Sequence, residues 1–208
     1  MRKAFGIHAT VLIGLCATFG SAAGAQTNSG ASVSGGKDLN WTVSCSPVIS
    51  GGSCYSGNAY VVTSPPGAWP TLPSSAWIST SSSASVSGAK TSNNADNYNY
   101  VFSQSFAPSA SPLTMNVWTD NFFTAFATNG GSASPVTADP TPGDFASGTP
   151  RSFFLPTGTT SVQLYTYGDG TTDGVDVSFT TTPEPSSMAL LGTGLVGLVP
   201  MIRRKRKV

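Results

Sequence analysis

The chain has 208 residues, of which only 9% are charged, with 10 Lys+Arg, 9 Asp+Glu and a single histidine. The near-neutral total hides an asymmetry: between residues 26 and 182, Lys37, Lys90 and Arg151 stand against eight aspartates (three minus eight, −5), while five cations crowd the C-terminus. A basic nucleic-acid surface is excluded from that middle part. So is any His-based catalytic pair or metal set, because His8 is the only histidine and lies in the N-terminal segment.

Residues 1–25 read as a secretory signal peptide. Arg2 and Lys3 form the basic start, residues 4–20 are mostly apolar, and Ala23-Gly24-Ala25 has the A-x-A form of a signal-peptidase site. The Sec translocon and signal peptidase are the partners this implies. Cys16 falls inside the discarded segment, and Leu15 before it is too large for lipoprotein processing. Residues 26–40 are low in complexity and predict a flexible leader. Residues 41–180 then predict one β-rich domain, long enough to bury a core.

Within that domain, residues 41–45 predict a short strand. Cys45 and Cys54 are the two cysteines left in an exported chain, so they predict a disulfide closing a small ring, worth roughly 2–3 kcal/mol. Strand signals recur at 55–63 and at Trp77-Ile78-Ser79, separated by a Pro-rich loop that carries Trp69. Residues 81–97 read as a long polar turn. Tyr98, Tyr100, Phe102 and Phe106 share one parity, opposite Asn97, Asn99, Ser103 and Ser105, which is the period of a half-buried strand.

Leu113, Met115 and Val117 alternate with Thr114, Asn116 and Trp118, and Asp120-Asn121 reads as a turn pair. A strand resumes at 122–128. Residues 135–150, with four prolines, read as a loop. Short strands follow at 153–155, at 161–167 (Val162 and Leu164 against Gln163 and Tyr165) and at 175–179. No segment of the domain has a 3.6-residue apolar period, and Val, Thr, Tyr and Phe dominate. The fold class predicted is all-β: an antiparallel β-sandwich or jelly roll, flanked by an N-terminal signal helix and a short C-terminal transmembrane helix.

That helix is expected over about 187–202. Its apolar run, residues 188–202, reaches only about 22 Å at 1.5 Å per residue, short of a hydrocarbon core of about 30 Å. Arg203, Arg204, Lys205, Arg206 and Lys207 follow it and favour the cytoplasmic side, so the domain lies outside the inner membrane. Pro183-Glu184-Pro185 precedes it, and its prolines keep that segment extended and outside the helix.

Two resemblances rest on these residues. Pro183-Glu184-Pro185, the short apolar span and the basic end resemble the PEP-CTERM sorting signal over residues 181–208. This implies recognition by an exosortase, a membrane cysteine protease/transpeptidase that would cut near the motif and release or transfer the domain to the cell surface or extracellular matrix. Trp77-Ile78, the Tyr98-to-Phe106 alternation, Leu113-to-Asn121, Asn129-Gly130 and residues 157–161 resemble the β-jelly-roll domain common in exported PEP-CTERM proteins. That domain is similar to galactose-binding-like modules. The expectation is a non-enzymatic surface or matrix protein associated with exopolysaccharide or biofilm, meeting the inner membrane only transiently.

Two alternatives stand beside it. A carbohydrate-binding module would use aromatic side chains, drawn from Trp41, Trp69, Trp77, Trp118, Tyr55 and Tyr165. Of these, Trp69, Trp118 and Tyr165 are the candidates for exposure: Trp118 and Tyr165 oppose the apolar parity of their strands, and Trp69 lies in a loop. A secreted hydrolase would need two close carboxylates, for instance Asp120 beside another aspartate. No cofactor is expected. Asp169, Asp173 and Asp176 have the oxygens and glycines of a Ca²⁺ loop, against the plainer reading of a hairpin turn.

Overall fold

The structure, a computed structural model, describes residues 26–45, 55–67, 69–86, 99–137, 141–143, 148–167 and 172–181. The expected signal helix and C-terminal helix lie outside these residues. Among the described residues there is no helix, and none long and apolar enough to cross a membrane.

Twelve strands form: β1 (Val33–Ser34), β2 (Lys37–Cys45), β3 (Gly57–Val61), β4 (Ile78–Ser79), β5 (Tyr100–Ser105), β6 (Leu113–Asp120), β7 (Phe122–Asn129), β8 (Ser132–Pro135), β9 (Thr141–Pro142), β10 (Arg151–Leu155), β11 (Thr159–Tyr167) and β12 (Gly174–Thr181). They pair in the order β10-β6-β12-β4-β3-β2-β5-β11-β7-β8, with β1 on β2 and β9 on β7. The sheet is antiparallel and curls into a half-barrel, compatible with a jelly-roll-like fold.

The alternation read from the sequence decides which residues line the interior. Phe102 on β5, Met115 and Val117 on β6, Val162 and Leu164 on β11, and Val175 and Val177 on β12 are all fully buried in one cluster. Curling brings distant strands face to face: Trp41 on β2 stacks on Phe179 of β12 at 6.3 Å, and Phe123 of β7 meets the edge of Phe153 on β10 at 5.8 Å. Tyr98 lies outside the described residues. Short strands β1, β8 and β9, at most four residues each, have no periodic signal, and β8 is exposed along its whole length.

One expectation is refined and one corrected. Asp120-Asn121, read as a turn pair, does break the chain between β6 and β7, but the two strands it joins do not pair with each other. β6 pairs with β10 and β12, whereas β7 pairs with β11, β8 and β9, so the chain passes at Asn121 from one half of the sheet to the other. The Asp120-Asn121 peptide is cis.

Residues 26–40 are not a flexible leader. Ser29 and Asp38 are fully buried, and β2 begins at Lys37. The backbone N–H of Ser29 donates to the Val177 carbonyl at 2.9 Å, and the Thr27 carbonyl accepts from Trp41 Nε1 at 3.1 Å and Gln104 Nε2 at 2.9 Å. Low complexity describes side chains, whereas this segment is held mainly through its backbone and small hydroxyls.

Candidate functional site

The outer face of β6 and β12 is covered over part of its length. Residues 62–77 fold across it and build a second apolar cluster of Val62, Trp69, Leu72, Trp77, Ala84 and Trp118. Trp69 packs on Trp77 at 4.1 Å between ring centroids, and Trp77 Nε1 donates to the Pro70 carbonyl at 2.6 Å. Trp118 is 3% exposed and Trp69 8%. Neither ring is exposed for sugar stacking, because both pack inside this cluster. Strand parity placed Trp118 on the outer face, as observed, but parity does not say whether a loop covers that face.

The other expected residues scatter. Tyr165 is half-buried on the outer face of β11, edge-on to Phe126 at 5.1 Å. Trp41 and Trp77 are buried. The half-buried Tyr55 flanks Lys37, whose ammonium lies 5.1 Å from its ring and 4.6 Å from that of Tyr60. Cys45 is disulfide-bonded, and Cys54 lies outside the described residues. Also outside them are Ala23, Ala25, Asp169, Pro183, Glu184, Pro185 and the basic residues Arg203, Arg204, Lys205, Arg206 and Lys207.

The aspartates have a role the sequence did not suggest. All four within the described residues, Asp38, Asp120, Asp173 and Asp176, are no more than 5% exposed. Asp38 Oδ2 accepts the Gly30 N–H at 2.6 Å, and its Oδ1 accepts those of Asn40 and Trp41 at 2.8 and 3.1 Å. Asp176 accepts from Ser29 Oγ at 3.2 Å and from the Leu72 N–H at 2.8 Å. It thus ties the N-terminal segment and the covering loop to β12. Burial pushes the Asp176 carboxyl above its usual range, against the opposing donors from Ser75, Leu72 and Ser29.

Asp120 lies opposite Gly174, next to Asp173 in sequence. The two carboxylates take different donors, Thr172 Oγ1 at 2.7 Å and Thr166 Oγ1 at 2.9 Å. Asp173 and Asp176, expected together as calcium ligands, are bound to different parts of the fold, Thr166 in one case and Ser29 with Leu72 in the other. Three-residue spacing on an extended chain points neighbouring carboxylates to opposite sides.

Beside the covering loop the same outer face is open. A groove of about 410 Å³ lies there, lined by Asn28, Leu72, Pro73, Asn116, Pro150 and Ser178 among others, with no charged residue. Register places three of its lining residues, Asn116, Ser178 and Thr180, in two neighbouring rows of the sheet. Ser178 on β12 lies opposite Asn116 on β6, which lies opposite Ser152 on β10. The next row is Thr180, Thr114 and Phe154. Ser152 Oγ donates to Asn116 Oδ1 at 2.6 Å, and Phe154 is 62% exposed.

The groove adjoins the end of β12, and Thr180 is part of its lining. The chain thus combines an all-β, jelly-roll-like domain with a C-terminal address. Residues 181–207, starting at the last residue of β12, match the PEP-CTERM protein-sorting motif. The match implies an exported protein that is processed by an exosortase and associates transiently with the membrane before cleavage. A search of the curated proteins finds no match to this chain.

Proposed function

We propose that this chain is a non-enzymatic protein of the cell surface or extracellular matrix of a Gram-negative-type bacterium, associated with exopolysaccharide or biofilm. The observation that carries the reading is the sorting motif at residues 181–207, which begins where β12 ends. The domain needs only to fold, cross the inner membrane and be cut free. The non-enzymatic and cofactor-free parts of the reading are supported by the aspartates, because Asp38 and Asp176 use both carboxylate oxygens as acceptors for the protein's own donors. In a host that carries an exosortase, removing residues 183–208 is expected to abolish surface display, and Glu184→Ala to leave an unprocessed precursor in the inner membrane. Surface display that persists without the tail would refute the sorting reading.

A further inference from the structure

We infer that one end of the sheet, marked by the exposed side chains of Val33, Leu39 and Phe154, lies against the phospholipid surface of the inner membrane while the C-terminal tail is uncut. The inference rests on the exosortase-substrate reading, which supplies the membrane, and goes beyond it by giving the folded domain its own contact with the bilayer.

Strand directions show which end this is. β10 and β12 both pair antiparallel with β6, so they run the same way and finish together: Leu155, Leu113 and Thr181 form one row across the three strands. Phe154 lies in the row before it, with Thr114 and Thr180, about 10 Å from Thr180 at two strand spacings. Three antiparallel pairings, β12 with β4, β4 with β3 and β3 with β2, separate β12 from β2. β2 therefore starts at the end where β12 finishes. Trp41 of β2 stacks on Phe179 of β12, and from that contact β12 continues to Thr181 while β2 leads back to Leu39. Val33 is across the β1–β2 pairing, opposite Asp38.

Val33 (49%), Leu39 (56%) and Phe154 (62%) are the exposed large hydrophobic side chains among the described residues. All three belong to the end from which the tail departs, whereas chance would scatter them. The charges follow the same division. The four described aspartates are buried, and Asp120 and Asp173 lie at the opposite end of β6 and β12. Lys37 opens β2 at the near end, with its ammonium over the rings of Tyr55 and Tyr60. Apolar side chains beside a cation, with no exposed carboxylate among the described residues, suit a bilayer that carries anionic headgroups.

Chain length selects the bilayer as the occupant. Residues 182–187 separate β12 from the apolar run 188–202. From Thr181 to Met188 the chain reaches at most about 25 Å, at ~3.6 Å per residue. That is less than the roughly 35 Å width of a domain this size. While the tail associates with the membrane before cleavage, this end is held beside the headgroups, at an effective concentration on the order of millimolar. A second copy would have to reach it by diffusion. At such a concentration a few apolar side chains suffice, and the contact is lost once the tail is cut.

Lipid quenching of added tryptophans tests this in the uncut precursor, purified from membranes of a host without exosortase and placed in phosphatidylethanolamine–phosphatidylglycerol vesicles. Trp41, Trp69, Trp77 and Trp118 are buried, so quenchers carried by lipid leave them largely untouched. Phe154→Trp and Leu39→Trp should each lose emission and shift to shorter wavelength when the lipids are brominated near the headgroup end of their chains. Ser56→Trp, just before β3 at the opposite end, should be quenched no more than the native chain. Adding Leu39→Ser to the Phe154→Trp chain should weaken the contact about tenfold, the loss from one apolar anchor. It should leave thermal stability unchanged, because Leu39 is exposed. A Gly/Ser spacer of about 20 residues between Thr182 and Pro183 should weaken the contact severalfold by diluting the tethered end.

The inference is overturned if neither added tryptophan is quenched beyond the native chain, if Ser56→Trp is quenched as strongly, or if the spacer and Leu39→Ser change nothing. It is also overturned if the spectral shift follows protein density in the vesicles rather than bromination, which marks a second copy as the occupant. Precursor that does not float with the vesicles would refute the membrane step of the processing reading as well. Flotation without quenching refutes this inference alone.

Discussion

Asp38 offers the sharpest test of how the domain is held together. Its carboxylate is fully buried and accepts three backbone N–H groups, from Gly30 at 2.6 Å, Asn40 at 2.8 Å and Trp41 at 3.1 Å. Asp38→Ala leaves those donors without their acceptor in a fully buried site. An orphaned buried donor costs about 1–3 kcal/mol, so even at the lower end three of them cost about 3–4 kcal/mol. That is a large part of the ~5–15 kcal/mol that holds a domain folded. Asp38→Asn keeps one acceptor oxygen but turns an amide N–H₂ toward a backbone donor, and should lose roughly half as much.

The assay is equilibrium denaturation followed by tryptophan fluorescence, with Trp41 on the same strand as a buried reporter. Proteolysis adds a local reading, because Gly30 is on the N-terminal segment that Asp38 anchors. Asp38→Ala should expose residues 26–36 to cleavage before the rest of the domain unfolds. A loss below about 1 kcal/mol, with the N-terminal segment still protected, would refute the claim that aspartates organise this fold.

The pH dependence has a definite sign. Burial raises the Asp176 carboxyl above its value of 3.8 in the unfolded chain, so the folded state holds that proton more tightly. The stability contributed is full below the unfolded value and is lost as pH rises through the folded one. Relative to Asp176→Asn, which does not titrate, the native chain should gain stability as pH falls from neutral toward 4; a flat or opposite difference would contradict this. Trp118→Ala should cost about 3–5 kcal/mol by emptying the cluster under residues 62–77, measured by the same denaturation. A cost under about 1 kcal/mol would mean that Trp118 is not packed there.

Local order was legible in the sequence, and for a physical reason. Alternation of period two is a property of the extended backbone, so the inward sets Leu113-Met115-Val117, Val162-Leu164 and Val175-Val177 follow from spacing alone. The sorting motif was legible too, because Pro-Glu-Pro, a short apolar run and terminal cations are defined by their order along the chain. Neither depends on where the strands lie in space.

The tertiary structure decided everything that depends on two distant segments meeting. Trp118 faces outward as its parity says, yet residues 62–77 bury it, and no pattern near Trp118 encodes that covering loop. Asp38 falls in an expected leader and Asp176 in an expected hairpin turn or calcium loop, and both become interior acceptors only once Gly30 and Leu72 arrive beside them. The groove brings together Asn28, Leu72, Asn116, Pro150 and Ser178, which are spread along the chain, and the pairing of β6 with β12 sets Asn116 beside Ser178. Parity assigns a residue to a face. Only the packed fold determines whether that face meets a loop, another strand or a ligand.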